Sequence, residues 1–255
     1  MNIIHAIILG VVEGITEFLP ISSTGHMILV SELLKIPQSD FLKSFEISIQ
    51  LGAIFSVIFL YWKSFLSIEN LKKLIVAFIP TGIIGLIFYR IIKQYFLGNY
   101  NVVLWSLFLG GVALLIFEIF YSEKENAAES IRDISYKQAL GIGLFQSLAV
   151  IPGISRSAST IMGGLILGLR RKTIIEFSFL LAVPTMLAAT GLDLVKNTSS
   201  FSFDQLYLVL IGFIVSFVVA MFSIKFLLNF IRNNDFTSFG LYRIIIALIF
   251  WFIIL

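Results

Sequence analysis

The sequence has no cysteine, which excludes disulfide staples, thiolate metal sites and cysteine nucleophiles together. Charge of either sign is scarce: Asp, Glu, Lys and Arg make up 13% of the 255 residues, against about 25% in a soluble domain. There are two histidines, no zinc or haem spacing, no P-loop and no Rossmann glycine run, so the common cofactor motifs are missing as well. What fills the chain instead is apolar: 58% of residues are hydrophobic, and the mean hydropathy is +1.00. These figures exclude a disordered chain, a nucleic-acid-binding domain and a water-soluble enzyme. The net charge of +3 fits basic loops flanking membrane spans better than a nucleic-acid partner. A spanning helix needs ~20 apolar residues, so the expected class is an all-α polytopic membrane protein whose partner is the lipid bilayer.

Six stretches read as spanning helices: 45–62, 74–92, 102–121, 173–192, 206–228 and 239–255. The N-terminus lacks the basic start of a signal peptide, and Glu13 and Glu17 interrupt its apolar run. Two further apolar stretches are wrong for spanning. Residues 3–34 carry Glu13, Glu17, Pro20, Ser22, Ser23, Thr24 and His26 at their centre, and residues 138–168 carry Gln146, Pro152, Gly153, Ser155, Arg156, Ser157 and Thr160. A proline with a Ser/Gly cluster breaks the backbone ladder. Broken backbone at membrane depth survives only where protein or a watery cavity satisfies it. Both stretches are therefore expected to be re-entrant hairpins, two short helices meeting at a polar tip.

The chain then divides into two similar halves within a single membrane domain, about 1–121 and 138–255, each with one hairpin followed by three spans. Gly10–Pro20 lies opposite Gly143–Pro152 with one residue of slippage, and Glu46 and Glu176 open the next span in each half. Three spans is an odd number, so the second half is expected to be inverted relative to the first. The basic residues agree. Lys63, Lys72, Lys73, Lys124, Arg132, Lys137, Arg170, Arg171, Lys172, Lys225 and Arg232 fall on one side, and Lys35, Lys43, Arg90, Lys93 and Lys196 on the other. Arg156, in a tip, and Arg243, near a helix start, are set aside from this division. The richer side is the cytoplasmic one, which turns both termini and the first tip outward.

Few polar residues remain for chemistry. Glu13 and Glu17 are one helical turn apart and share a face. Ionisable residues inside a membrane are functional hypotheses by default. A carboxylate pair suits a hard cation such as Mg²⁺ or Ca²⁺, or acid–base work, although a helix lying at the interface with both acids in water would carry the same pattern. After Pro20 come three hydroxyls and a histidine, Ser22, Ser23, Thr24 and His26. One of them can cap the next helix; a serine with a histidine three residues on also offers a nucleophile and a helper. The segment Pro152-Gly153-Ile154-Ser155-Arg156-Ser157-Ala158-Ser159-Thr160 places one arginine among four hydroxyls at a break that opens a helix. Helix N-termini bind anions, and guanidinium binds phosphate bidentately. The plainer alternative is a structural pair between Arg156 and Glu13 or Glu17. Glu46 and Glu176 read as helix-start acids, Glu118 as interfacial, and Gly82, Gly85, Gly110 and Gly111 as close-packing positions. Together the tips carry the equipment of phosphoryl transfer, and inside a bilayer the phosphate should belong to a lipid. An inverted-repeat transporter or flippase for a phosphorylated lipid is the competing class.

The stretch Glu13–His26 (EGITEFLPISSTGH) and the stretch Pro152–Thr160 (PGISRSAST) resemble the two signature motifs of the bacterial undecaprenyl-diphosphatases, also called bacitracin-resistance proteins. The resemblance extends along the chain, through Phe45–Gly52 (FEISIQLG) and Glu176–Pro184 (EFSFLLAVP). It implies hydrolysis of undecaprenyl diphosphate to undecaprenyl phosphate and inorganic phosphate in the bacterial cytoplasmic membrane, recycling a cell-wall lipid carrier and conferring bacitracin tolerance. It also implies a divalent cation, Mg²⁺ or Ca²⁺, and leaves homodimer formation open. By resemblance, Glu13 and Glu17 would be the acidic motif, Glu17 the more critical. Ser23 and His26 would be the candidates for the nucleophile and its helper, with Glu17 or His26 taking the proton, and His26 itself or water as the alternative nucleophiles. Ser155, Arg156 and Thr160 would hold the diphosphate, with Ser22, Gly153 and Ser157 beside them.

Overall fold

The computed structural model describes residues 1–96, 99–123, 127–196 and 205–254. Among these the chain is helical, with one isolated β-bridge between Ala128 and Leu169. Asn2 starts the first helix, α1 (Ile3–Thr16), by accepting the His5 N–H at 2.9 Å through its side chain. A short helix α2 (Ser23–Leu33) follows the break at Pro20. Ser39 caps α3 (Asp40–Phe65), and its Asp40 sits on the positive end of the helix dipole. Then come α4 (Ile68–Ile91), extended by a π turn over Ile92–Phe96, and α5 (Tyr100–Phe120), capped by Asn99.

The second half repeats this order. A reciprocal box between Ser135 and Gln138 opens α6 (Tyr136–Gln146), which tightens into a 3₁₀ turn over Ser147–Val150. Next are α7 (Arg156–Ile166), α8 (Arg171–Lys196), α9 (Leu206–Phe230) and α10 (Thr237–Ile254). All six expected spans are helices. Five of them, α3, α4, α5, α8 and α9, are long and apolar enough to cross a membrane; the apolar part of α10 falls just short of that length. Large apolar side chains point outward in a way a soluble protein does not tolerate, with Phe120 82% and Phe252 89% exposed. The protein is an all-helical, polytopic membrane protein.

The two halves interlock. α1 packs along α9, and α6 packs along α4. Glycine makes both crossings close: a Cβ on Gly14 would stand 2.8 Å from the Ser216 carbonyl oxygen, and one on Gly143 would run into the Ala77 carbonyl. α5 crosses α10 in the same way, through Gly111 against Gly240. Gly85 does not join these seams, because nothing lies within 4 Å of a Cβ built there. At Gly82 the nearest atoms to such a Cβ belong to the Phe78 ring of its own helix.

Charge collects at one end of the bundle. Arg171 forks onto Glu118 at 2.6 and 2.7 Å, Arg170 pairs with Glu129, and Lys73 donates to the Arg132 carbonyl at 2.6 Å. Lys63, Arg132 and Lys172 line a cavity of about 380 Å³ there, with Asn70 and Glu176. Lys124 lies outside the described residues. Glu118, expected at a span end, is a buried side chain there that anchors Arg171 and accepts the Phe236 N–H. Glu46 and Glu176 are also displaced from their expected role. α3 and α8 start earlier than the apolar runs suggested, so neither acid lies in a first turn, and Glu46 instead accepts from Ser31 at 3.2 Å.

Candidate active site where the two tips meet

α1 runs on through Glu17, whose backbone is still helical, so Glu13 and Glu17 stack on one face at its end. Both are buried, at 2% and 4% exposure, which removes the reading of an interfacial helix with its acids in water. After Pro20 the chain turns at Ser22, with φ 74°, and enters α2. The second tip does the same at Ser155, also with φ 74°. Each serine caps its helix: Ser22 Oγ accepts from the Gly25 N–H at 3.4 Å, and Ser155 Oγ from the Ala158 N–H at 3.2 Å. The residue after each cap is then the first of its helix, Ser23 in one tip and Arg156 in the other.

Those two residues converge on one carboxylate. Ser23 Oγ donates to Glu17 Oε2 at 2.5 Å, and Arg156 Nη2 donates to Glu17 Oε1 at 2.9 Å. The other arm of the guanidinium donates to the Ser178 carbonyl at 2.9 Å and lies 3.3 Å from Ser178 Oγ. The Phe18 ring lies 5.9 Å from the guanidinium carbon. Ser157 Oγ crosses between tips to the Phe18 carbonyl at 2.8 Å. The Arg–Glu pair posed as an alternative is therefore present, as part of a larger cluster. Among the described residues two atoms in that cluster are buried without a hydrogen-bond partner: the acceptor Glu13 Oε1 and the donor Arg156 Nε. Buried polar atoms are normally satisfied, so these two are the free acceptor and the free donor of the cluster.

Other placements differ from the sequence reading. Ser23 and His26 were paired as nucleophile and helper, but no Ser23–His26 hydrogen bond forms among the described residues. His26 Nδ1 lies 2.8 Å from the Ser22 carbonyl, and Nε2 lies 2.9 Å from the Tyr242 hydroxyl. A carbonyl only accepts, so Nδ1 carries the proton, and in a neutral ring Nε2 then accepts from Tyr242. With both nitrogens engaged, Glu17 is the base within reach of Ser23. The four hydroxyls around Arg156 are likewise occupied by protein. Ser155 caps, Ser157 bridges, Ser159 Oγ bonds back to the Ser155 carbonyl at 3.0 Å, and Thr160 shares a 2.6 Å bond with Ser178. They shape and hold the arginine's surroundings. Gly153, with φ +94°, lies against α5: a Cβ there would be 2.8 Å from both the Ser106 Cβ and the Val103 carbonyl oxygen.

Two residues here were missed. Ser178 lies inside the quoted EFSFLLAVP segment, but its apolar neighbours masked it. Arg243 was set aside as near a helix start, yet it is seven residues into α10 and completely buried.

Among the described residues no group of three or more His, Asp or Glu side chains could hold a metal. The donor set that remains, Glu13 and Glu17, is two carboxylates, and one fully buried oxygen of Glu13 has no partner among the described residues. That suits a hard cation completing its shell with waters and phosphate oxygens, as Mg²⁺ does. It does not suit a cation held wholly by protein.

Fold and site together define a multi-pass, all-helical membrane protein with a buried acid–serine–arginine site at the junction of two broken helix pairs. Residues 6–249 match the family described as bacitracin resistance protein BacA. The chain belongs to that family. It is 54% identical to a protein named undecaprenyl-diphosphatase from Wolinella succinogenes, over 99% of this chain and 98% of that one. It is 51% identical to proteins of the same name from Sulfurihydrogenibium sp. (98% and 99% of the two chains) and Persephonella marina (100% of both).

Proposed function

We propose that the protein hydrolyses undecaprenyl diphosphate to undecaprenyl phosphate and inorganic phosphate. The observation that carries this reading is the sharing of Glu17 between a serine hydroxyl and an arginine guanidinium, both buried. A base in contact with a nucleophile, beside a fixed cation for the phosphate, is the arrangement a phosphoryl transfer needs. The full-length relatives named for that activity support it. They lend nothing to the transporter reading.

In this reaction the diphosphate exchanges with Glu17 for part of the Arg156 guanidinium, and Arg156 Nε donates to one of its oxygens. The N-terminal N–H groups of α7 face the same charge. Ser22, Gly153, Ser155, Ser157 and Thr160 hold the two tips around the headgroup. Ser23 Oγ attacks the terminal phosphorus and Glu17 takes its proton. The bond from that phosphorus to the bridging oxygen breaks, and undecaprenyl phosphate leaves with the electron pair. Water then attacks the seryl phosphate, Glu17 returns its proton to the departing Ser23 Oγ and accepts one from the water, and inorganic phosphate is released. Glu13 and Glu17 would hold the Mg²⁺ or Ca²⁺, whose chemistry is to neutralise charge on the diphosphate. His26 acts by holding its ring between Ser22 and Tyr242, ordering the start of α2.

The two halves are read as an inverted repeat in the bacterial cytoplasmic membrane, with the basic end in the cytoplasm and the site opening outward, where the diphosphate lipid is left after polymer transfer. The test is phosphate release by purified protein in detergent, given undecaprenyl diphosphate and Mg²⁺ or Ca²⁺. No release with any divalent cation would overturn the reading.

A further inference from the structure

The broken backbone raises a question that the catalytic residues do not answer. Carbonyls freed at a helix break inside a membrane need a donor. Arg243 supplies it for both tips. Its Nη1 donates to the Pro20 carbonyl at 3.3 Å and the Ile154 carbonyl at 3.1 Å, and its Nη2 to the Gly153 and Ser106 carbonyls at 3.0 Å each. Nε donates to the Leu107 carbonyl at 3.3 Å. All five guanidinium donors are used, each on a main-chain oxygen. The side chain is fully buried, and among the described residues it has no carboxylate partner. Gly110 makes the room: a Cβ there would collide with Arg243 Nη2. The neighbouring Tyr242 reaches the first tip separately, through His26 Nε2 at 2.9 Å, with the two rings nearly parallel at 3°.

We propose that Tyr242 and Arg243 are positioning residues for the diphosphatase reaction, with Arg243 setting the gap between the tips and Tyr242 the orientation of His26. The proposal rests on the diphosphatase reading. Arg243 grips Pro20 three residues before Ser23, and Gly153 and Ile154 just before Arg156. Its geometry therefore fixes where Ser23 and Arg156 meet on Glu17. Lysine keeps the charge but brings three donors on a flexible stem, too few for the five carbonyls that Arg243 serves. A misplacement of about 1 Å in such a site costs on the order of 100-fold in rate.

The experiment compares Arg243→Lys and Tyr242→Phe with a stability control, Glu118→Gln, which weakens the Arg171 pair at the far end of the bundle. Phosphate release from undecaprenyl diphosphate and thermal unfolding are measured for each in detergent. Arg243→Lys is expected to lower kcat on the order of 100-fold, and Tyr242→Phe to lower kcat with KM nearly unchanged. Glu118→Gln is expected to lower the Tm while leaving kcat near wild type. Wild-type kcat in Tyr242→Phe, and in any folded Arg243→Lys, would overturn the proposal alone. So would a kcat loss that tracks Tm equally in all three variants. If Arg243→Lys does not fold, Tyr242→Phe decides the matter by its kcat–KM split. If wild type itself releases no phosphate, the diphosphatase reading falls, and this proposal with it.

Discussion

Ser22 and Ser155 occupy the same backbone conformation, φ 74° in each, at the same point of the two broken helix pairs, and each caps the short helix that follows. Serine is uncommon at positive φ, and such residues cost of order 1–3 kcal/mol where the surroundings hold them. The twin turn delivers two different first residues, Ser23 and Arg156, to one carboxylate. The backbone is duplicated while the chemistry is divided between the copies.

Glu17 is the hinge of that division. Replacing Glu17 with Gln keeps its shape but removes the base and leaves the Arg156 charge buried without its partner. Turnover should fall about 10²–10⁴-fold, and stability by roughly 3–5 kcal/mol. Phosphate-release kinetics and thermal unfolding of Glu17→Gln check both; a variant with wild-type kcat would remove Glu17 from catalysis.

Ser23→Ala separates the covalent route from direct attack by water. Phosphate release should drop to background, and acid-quenched wild-type enzyme should carry phosphate on Ser23 in peptide mapping. Near-normal release by Ser23→Ala would leave water as the nucleophile.

The unpartnered acceptor, Glu13 Oε1, makes a cation prediction. Chelation with EDTA should abolish phosphate release, and added Mg²⁺ or Ca²⁺ should restore it. Glu13→Gln should raise the cation concentration needed for half-maximal rate more than it lowers the rate at saturation. An unchanged cation requirement in Glu13→Gln would place the ion elsewhere.

Strain at the second tip can be weighed against its cap. Ser155→Ala loses the bond to the Ala158 N–H and keeps the positive φ, so it should cost about 1 kcal/mol. Ser155→Gly loses the same bond but relieves the backbone, so it should cost less. Thermal unfolding of the two variants measures the difference, and a larger loss for glycine would mean the turn holds no strain.

Much of the site was legible because charge is so scarce in this chain. Glu13, Glu17, His26 and Arg156 stood out against apolar neighbours, and proline beside serine marked the breaks. Other residues were illegible for physical reasons. Arg243 follows Tyr242 in an apolar helix, where it reads only as a basic residue near a helix start. Only the crossing of α5 and α10 turns it inward. The anchoring role of Glu118 was hidden because its partner, Arg171, is 53 residues away. The Ser23–His26 pairing failed because closeness along a helix does not fix which way a ring faces, and the imidazole turns back to the Ser22 carbonyl and across to Tyr242.

Composition and periodicity by themselves determined that this is a helical membrane protein with two broken segments, since no other class buries so much apolar sequence around so few charges. The polar inventory followed from the same scarcity. Which of those groups touch was decided only by the tertiary structure. Glu17, Ser23 and Arg156 come from separate turns of two helix pairs, and their meeting depends on glycine crossings and on one arginine that satisfies the carbonyls of both breaks. A broken backbone in a membrane needs a donor from somewhere. Local sequence dictates that need, and long-range packing chooses the donor.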